Sequence, residues 1–175
     1  DNLRRLQPDK FEDLIALNAL YRPGPIQGGM IDDFINRRHG KVQIEYAVSQ
    51  LEEILEETYG VITYQEQVQR ICRDLAGFTL GKADGIRKAM GKKLADVMEE
   101  YKAEFLDGCE ANEISRSVGE RVWADIEVFS GYGFNKAHSS GYSMVAYQCA
   151  YLKAHHPADF MAANLNSEIG DIDRL

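Results

Sequence analysis

The sequence predicts an all-α protein of about nine helices, with at most one short β pair. Apolar residues recur every three to four positions through most of the chain, while strand-like alternation is almost absent. Glycines, prolines and polar turns separate these periodic segments at helix-length intervals. No repeat and no low-complexity linker divides the chain, so we expect residues 1–175 to form a single domain, cut from a longer protein.

The first helices are predicted from turn residues and apolar stripes. A helix opens near Pro8 and must end before Arg22, because Pro23 and Pro25 forbid its continuation. A second starts at Met30 and closes on basic residues and Gly40. A short helix follows Ser49, and the candidate β pair is formed by residues 42–46 and 61–64.

The later helices are longer and have clearer ends. Each range below is bounded by a capping residue, a glycine or a proline. The predicted helices are Gln65–Ala76, a helix capped by Thr79 and ending near residues 90–91, then 94–111, 115–129, 137–154, and a last one that opens at Pro157.

Charge is strongly segregated along the chain. The net charge is −8, which taken alone argues against a nucleic-acid partner. Yet residues 45–60 hold five acids and no base, and residues 128–158 hold no acid at all. Residues 82–93 hold five bases and one acid. A bound anion responds to these local fields more than to the total, although solvated acidic helices also explain the pattern.

The most basic segment ends a predicted helix. Arg87, Lys88, Lys92 and Lys93 have Asp84 as their one nearby acid, and Asp84 can pair with Lys88 one turn away. Cations at a helix C-terminus are favoured by the helix dipole, which is one explanation. An arginine fork beside lysine point charges also suits a triphosphate, which is the other.

A second basic segment stands where the dipole disfavours it. Lys136 and His138 lie at the start of the predicted 137–154 helix, next to the hydroxyls of Ser139 and Ser140. With no carboxylate nearby in sequence, free N–H groups and cations predict an anion-binding corner. The alternative is that Lys136 meets a distant acid in the fold. The spacing of a Walker phosphate loop is not met.

Arg22 is held in a rigid segment, Tyr21-Arg22-Pro23-Gly24-Pro25. Taken alone, this segment favours a helix-to-helix turn that carries a solvated arginine.

Several classes of function are disfavoured. Neither a membrane-length apolar run nor a metal-binding Cys or His motif occurs, so no metal site is predicted in this chain. Three scattered cysteines, Cys72, Cys109 and Cys149, indicate reduced, buried thiols in a cytosol.

Long stretches of the sequence resemble the C-family polymerases, the alpha subunits of bacterial DNA polymerase III. They are ALNALYRPGP, ETYGVITYQEQV, LAGFTLGKADGIRKAMGKK, YGFNKAHSSGYSMVAYQ and AYLKAHHPADFMAA, in the family's order and over nearly the whole chain. The resemblance implies a helical fingers domain of a DNA-directed DNA polymerase. It also implies that the catalytic aspartates and their Mg²⁺ ions lie in a preceding palm domain, so this chain alone is expected to be inactive.

The resemblance also implies roles for the basic residues. Arg87, Lys88, Lys136 and His138 match positions around the triphosphate. Ser139 and Arg22 are also predicted to bind the nucleotide. His138 is a possible proton donor to pyrophosphate. Contacts to DNA or phosphate are expected from four more residues: Arg37, Arg38, Lys92 and Lys93. Lys88 stands where the family often has arginine, which puts a bidentate contact in doubt there.

The implied partners are template-primer DNA and a dNTP, together with the other domains of the same bacterial, cytoplasmic polymerase. The sliding clamp and other replisome subunits would bind outside this chain. Two alternatives share these motifs: a non-catalytic helical DNA-binding or scaffold module, and an error-prone paralogue.

Overall fold

A computed structural model describes residues 1–92 and 94–170. Within these residues the chain is all-α, as predicted, and the only β pairing is one isolated parallel bridge between Tyr64 and Phe134. The predicted β pair of residues 42–46 and 61–64 is therefore wrong. The backbone N–H groups of residues 61–64 bond elsewhere: Val61 N donates to Thr58 O, and Thr63 N and Tyr64 N both donate to Gln67 Oε1.

The described residues form eleven α-helices and one short 3₁₀ helix. The α-helices are α1 Asn2–Leu6, α2 Phe11–Leu20, α3 Pro23–Gln27, α4 Met30–Arg38, α5 Gln50–Leu55, α6 Gln65–Ala76, α7 Leu80–Lys92, α8 Ala95–Ala111, α9 Arg116–Ser130, α10 Lys136–His155 and α11 Pro157–Ser167. The 3₁₀ helix spans Glu56–Thr58.

The two helices that the sequence did not predict are the short ones, α1 and α3. Pro23 does end α2, as expected, but it also opens α3 as its first residue. Proline fits that position because its fixed φ is helical and its missing N–H would have no partner there. The segment from Tyr21 to Pro25 is thus a helix start rather than an open turn.

Helix α6 shows how closely sequence and structure agree. Val68, Ile71, Cys72 and Leu75 recur at helical spacing and are all buried. Gly77 ends the helix with a φ of 68°, which a residue with a side chain rarely adopts. Its N–H donates to Arg73 O at 3.0 Å, satisfying a carbonyl at the helix end.

Two compact units divide the chain, Asp1–Ser139 and Ser140–Leu175, with the boundary inside α10. The prediction of a single domain over residues 1–175 stays a prediction. The second unit consists of the rest of α10 and α11, within the residues described.

The first unit buries two hydrophobic clusters. One is centred on Phe105 and Trp123, whose rings lie 5.2 Å apart between α8 and α9. The other joins α2 and α4 around Leu20 and Phe34. Burying each such side chain stabilises the fold by about 1.5–3 kcal/mol. Together the clusters fix α2, α4 and α6, the helices from which the site below is built.

Candidate functional site: a basic corner at the start of helix α10

The start of α10 is held against the start of α6. Tyr64 and Phe134 form the parallel bridge, and Gln65 N donates to Phe134 O at 2.9 Å. The Tyr64 side chain is 1% exposed, and burial raises the pKa of its phenol above the ordinary range. The bridge thus brings two helix N-termini, and their positive dipole ends, to one place. We call this place the basic corner; it comprises Arg22, Phe134, Lys136 and His138.

Glu66 supplies an anion to the first turn of α10. Its carboxylate accepts hydrogen bonds from Lys136 N at 3.1 and 3.2 Å and from Asn135 Nδ2 at 2.7 Å. Asn135 caps the helix in turn, since its Oδ1 accepts from His138 N at 2.8 Å. The sequence predicted an anion at this helix start, and a carboxylate of the same chain lies there. Whether an external phosphate binds beside it stays a prediction.

Lys136 meets a distant acid. Its Nζ lies 2.7 Å from both carboxylate oxygens of Glu57, and 5.5 Å from the centre of the Tyr64 ring. About a third of each charged side chain remains exposed, 38% for Lys136 and 35% for Glu57. The distant-acid alternative is therefore confirmed for Lys136, and its binding of nucleotide remains a prediction.

Arg22 is partly buried rather than solvated. Its Nε donates to Ala19 O at 2.7 Å, its Nη2 donates to Tyr132 O at 2.5 Å, and its guanidinium lies 4.4 Å from the centre of the Phe134 ring. Burial lowers the pKa of Arg22 from its ordinary value. His138 contacts the same ring edge-on, at 5.5 Å between centroids. Arg22 and His138 therefore both contact the Phe134 ring.

Ser139 lies one residue beyond His138 but has a structural position. It is fully buried, and its hydroxyl donates to Ile15 O at 2.6 Å and accepts from Asn18 Nδ2 at 3.2 Å. Its single proton and an acceptor site are thus both used to attach α10 to α2. Nothing in this arrangement supports the predicted contact of Ser139 with nucleotide.

The Arg87 segment forms a second basic group on α7. Asp84 binds both predicted phosphate ligands, Arg87 Nε at 2.7 Å and Lys88 Nζ at 2.8 Å. Hydrogen bonds from Lys88 and then Arg87 lower the pKa of Asp84. The predicted pairing of Asp84 with Lys88 is confirmed. Lys92 is exposed at the end of α7, and Lys93 lies outside the described residues.

Helix α6 connects the two basic groups. Gln69 Nε2 lies 3.5 Å from Asp84 Oδ1, and Glu66, one turn earlier on α6, binds the start of α10. Residues three apart share a helix face, about 4.5 Å apart along the axis. Both basic groups therefore border the same face of α6.

Arg38 is occupied by carboxylates elsewhere. Its Nε lies 2.7 Å from Asp13 Oδ2, its Nη2 lies 2.7 Å from Asp9 Oδ1, and its side chain is 9% exposed. Tyr59 also donates to Asp13, and burial together with this bond raises the pKa of Tyr59 to about 12. This burial gives no support to a DNA contact by Arg38.

Arg37 lines a groove of about 270 Å³ between α4 and α9. Its Nη1 donates to Gly60 O at 3.1 Å, while its Nε is buried without a hydrogen-bond partner in the structure. Asp125 lines the same groove, and burial raises the pKa of its carboxyl. Arg37 lies in this groove and not in the basic corner, and its contact with DNA stays a prediction.

Sequence reasoning missed three residues that shape the corner: Glu57, Glu66 and Gln67. Glu66 lies in the first turn of α6, where the dipole of its own helix is a sufficient explanation for an acid. Gln67 Oε1 accepts from Thr63 N and Tyr64 N, and its Nε2 donates to Thr58 Oγ1 at 2.8 Å. A signal for Glu57 was present, because its acid-only stretch complements the acid-free stretch that contains Lys136.

The described parts of the chain contain neither a cluster of metal ligands nor a membrane-spanning helix. Among residues 1–92 and 94–170, no group of three or more His, Cys, Asp or Glu side chains is placed to hold a metal ion. No helix in these ranges is both long and apolar enough to cross a membrane.

Comparison with known proteins gives a consistent result. Residues 1–113 match the sequence model of a family described as the bacterial DNA polymerase III alpha subunit finger domain. The chain is 52% identical over 98% of its length to DNA polymerase III subunit alpha of Campylobacter jejuni, and 48% identical over its whole length to that of Escherichia coli K12. It spans only 14% and 16% of these two relatives.

Proposed function

This chain belongs to the bacterial DNA polymerase III alpha subunit finger-domain family, and from that premise we propose that it binds the triphosphate of the incoming dNTP. We further propose that it closes on template-primer DNA within the intact polymerase. The observation that carries the proposal is the grouping of Lys136, His138 and Arg22 around the start of α10.

The proposed role is electrostatic. Lys136 would attract the charge of a phosphate at the start of α10, and Arg22 and His138 lie nearby against the Phe134 ring. Arg87 and Lys88 border the same face of α6 and would bind the other end of the triphosphate. Such preorganised cations stabilise the charge that builds on the β- and γ-phosphates during transfer.

His138 is the residue that we propose for proton transfer. It sits in the first turn of α10, its side chain is exposed, and Phe134 supports its ring. Imidazole is the side chain whose ordinary pKa lies nearest neutrality, so it can donate a proton to departing pyrophosphate. This role depends on the triphosphate being bound at the corner.

The remaining machinery belongs to the rest of the polymerase. Nucleotidyl transfer requires carboxylates that hold Mg²⁺, and we propose that these lie outside residues 1–175. The sliding clamp and other replisome subunits are likewise proposed to bind elsewhere on the polymerase, in the bacterial cytoplasm.

Single-nucleotide primer extension by the intact polymerase tests this function. Lys136→Ala and Arg87→Ala should each lower kcat/KM for dNTP by roughly tenfold or more, since each removes a charge-assisted phosphate contact. Lys102→Ala is the matched control, because Lys102 is a half-buried cation paired with Glu127 on α9. Unchanged kcat and KM in both test variants would refute the assignment.

A further inference from the structure

We propose that Glu57 competes with the triphosphate for Lys136: its carboxylate holds the ammonium in the nucleotide-free protein and must release it when dNTP binds. Glu57 would then be a positioning residue that sets the apparent affinity for dNTP. The inference rests on the proposed function, since it takes Lys136 to be a phosphate ligand.

The Glu57 carboxylate occupies the position beside Lys136 Nζ that a bound phosphate would take. Both carboxylate oxygens of Glu57 accept from Nζ at 2.7 Å, as two oxygens of a phosphate would. The two residues are 79 positions apart, so the fold and not local sequence joins them. Each side chain is about one-third exposed, so a soluble anion can approach the pair.

Lys136 has a second support that does not depend on Glu57. Its Nζ lies 5.5 Å from the centre of the Tyr64 ring, which is nearly fully buried and held by the bridge to Phe134. Its backbone N–H is fixed separately by Glu66. The ammonium is therefore expected to keep its place when the carboxylate leaves, which makes Glu57 the exchangeable partner.

A cleft beside Glu57 can receive its carboxylate after release from Lys136. It lines a cleft of about 250 Å³ together with Lys10, Glu12 and Glu56. The neighbouring carboxylates repel it, so its position depends on a cation. Lys10 is an exposed cation in the same cleft and can receive the released carboxylate.

Glu66 differs from Glu57 in the groups that it binds. Its partners are a backbone N–H and the Asn135 side chain, both part of the first turn of α10. Displacing Glu66 would leave these donors without an acceptor, so we expect it to stay in place when nucleotide binds. The two acids of the corner thus have separate roles, one structural and one exchangeable.

The test is steady-state primer extension by the intact polymerase with the variant Glu57→Gln. Removing a competitor that is about one-third exposed should lower KM for dNTP about two- to fivefold and leave kcat unchanged. Inorganic pyrophosphate, used as a probe of the same site, should inhibit more strongly by a similar factor. An unchanged or raised KM for dNTP would overturn the inference.

Glu53→Gln is the matched control. It removes the same charge from α5, but Glu53 is paired with Arg70 and not with Lys136. KM should therefore be unchanged, and an equal decrease would indicate a general charge effect and overturn the inference. Glu57→Asp keeps the charge with a shorter reach, and should lower KM by a smaller factor even where the Gln variant folds poorly.

A double variant distinguishes a failure of the proposed competition from a failure of the proposed function. In a Lys136→Met background, Glu57→Gln should change KM no further, because the ammonium for which Glu57 and the triphosphate compete is absent. If Lys136→Met alone leaves kcat and KM unchanged, the proposed function fails. If Lys136→Met raises KM while Glu57→Gln does not lower it, the competition alone is refuted.

Discussion

The guanidinium of Arg22 lies 4.4 Å from the Phe134 ring centre while its Nη2 donates to Tyr132 O, so one arginine holds two residues of the segment before α10. Arg22→Lys should lower the free energy of unfolding of the 175-residue chain by about 1–2 kcal/mol, because an ammonium cannot make the planar contacts together. Urea unfolding measures this. Arg116→Lys is the control, since Arg116 is about half exposed and bound only by carboxylates; an equal loss there would contradict the assignment.

Gly24 makes room for the Tyr132 ring. A Cβ at Gly24 would lie 2.3 Å from two ring carbons, so Gly24→Ala must displace the ring. We expect a loss of about 1–3 kcal/mol in the free energy of unfolding. Gly81→Ala is the control in α7, where a Cβ meets nothing within 4 Å. The loss at Gly24 should shrink in a Tyr132→Ala background, and a loss independent of Tyr132 would disprove the contact as its cause.

Gln67 binds four polar groups beneath the corner, namely Thr63 N, Tyr64 N, Ile54 O and Thr58 Oγ1. Gln67→Ala should lower the free energy of unfolding by about 2–4 kcal/mol, because buried donors and acceptors around Thr58 and Thr63 lose their partners. Gln50→Ala, at an exposed position of α5, should change it by less than about 0.5 kcal/mol. Chemical unfolding followed by circular dichroism compares the two, and equal values would show that the buried network contributes little.

Cys72 and Cys109 are buried as predicted, whereas Cys149 is exposed and its predicted burial is wrong. The two buried thiols should make the fold sensitive to alkaline pH. Burial raises the pKa of Cys109 from 9.0 to about 11, and burial also raises that of Cys72. Their stabilising contribution is complete below pH 9, where the unfolded thiols are protonated too. It falls as pH rises from 9 towards 11, by up to about 1.4 kcal/mol per pH unit for each thiol.

Urea unfolding between pH 8 and pH 10.5 measures this dependence. The double variant Cys72→Ala, Cys109→Ala is the control for tyrosines and lysines that titrate in the same range. It should be less stable at pH 8 but should show a shallower decline in the free energy of unfolding. Identical slopes in the two proteins would rule out the thiols as the source.

Much of the fold was predictable because its helices carry local signals. Gln65–Ala76 was predicted with its bounds, and α10 begins at Lys136, one residue before the expected start. The short α1 and α3 were missed because five residues show too little periodicity to detect. Thr79 does accept from Lys82 N at 3.3 Å, as a cap should, while Ser49 precedes α5 without a side-chain cap bond.

The site was harder to predict because its contacts are not local. The sequence located the cations Lys136, Arg87 and Arg22, but it could not show the distant groups that bind Lys136 and Arg22. Asp84 was found because it lies one turn from Lys88. Glu57 and Glu66 are brought to α10 only by packing of the first unit, which no local pattern encodes.

The bridge between Tyr64 and Phe134 determines when the basic corner can form during synthesis of the chain. Arg22, Glu57 and Glu66 emerge from the ribosome well before Phe134 and Lys136, to which they bind. A nascent chain that ends before residue 134 holds these charged groups without their partners. Closing so long a loop is also entropically costly, so it is favoured only once α2, α4 and α6 have packed. We therefore expect the corner to be the last part of the first unit to form, and a translational pause before residue 134 to leave a folded core with an open site.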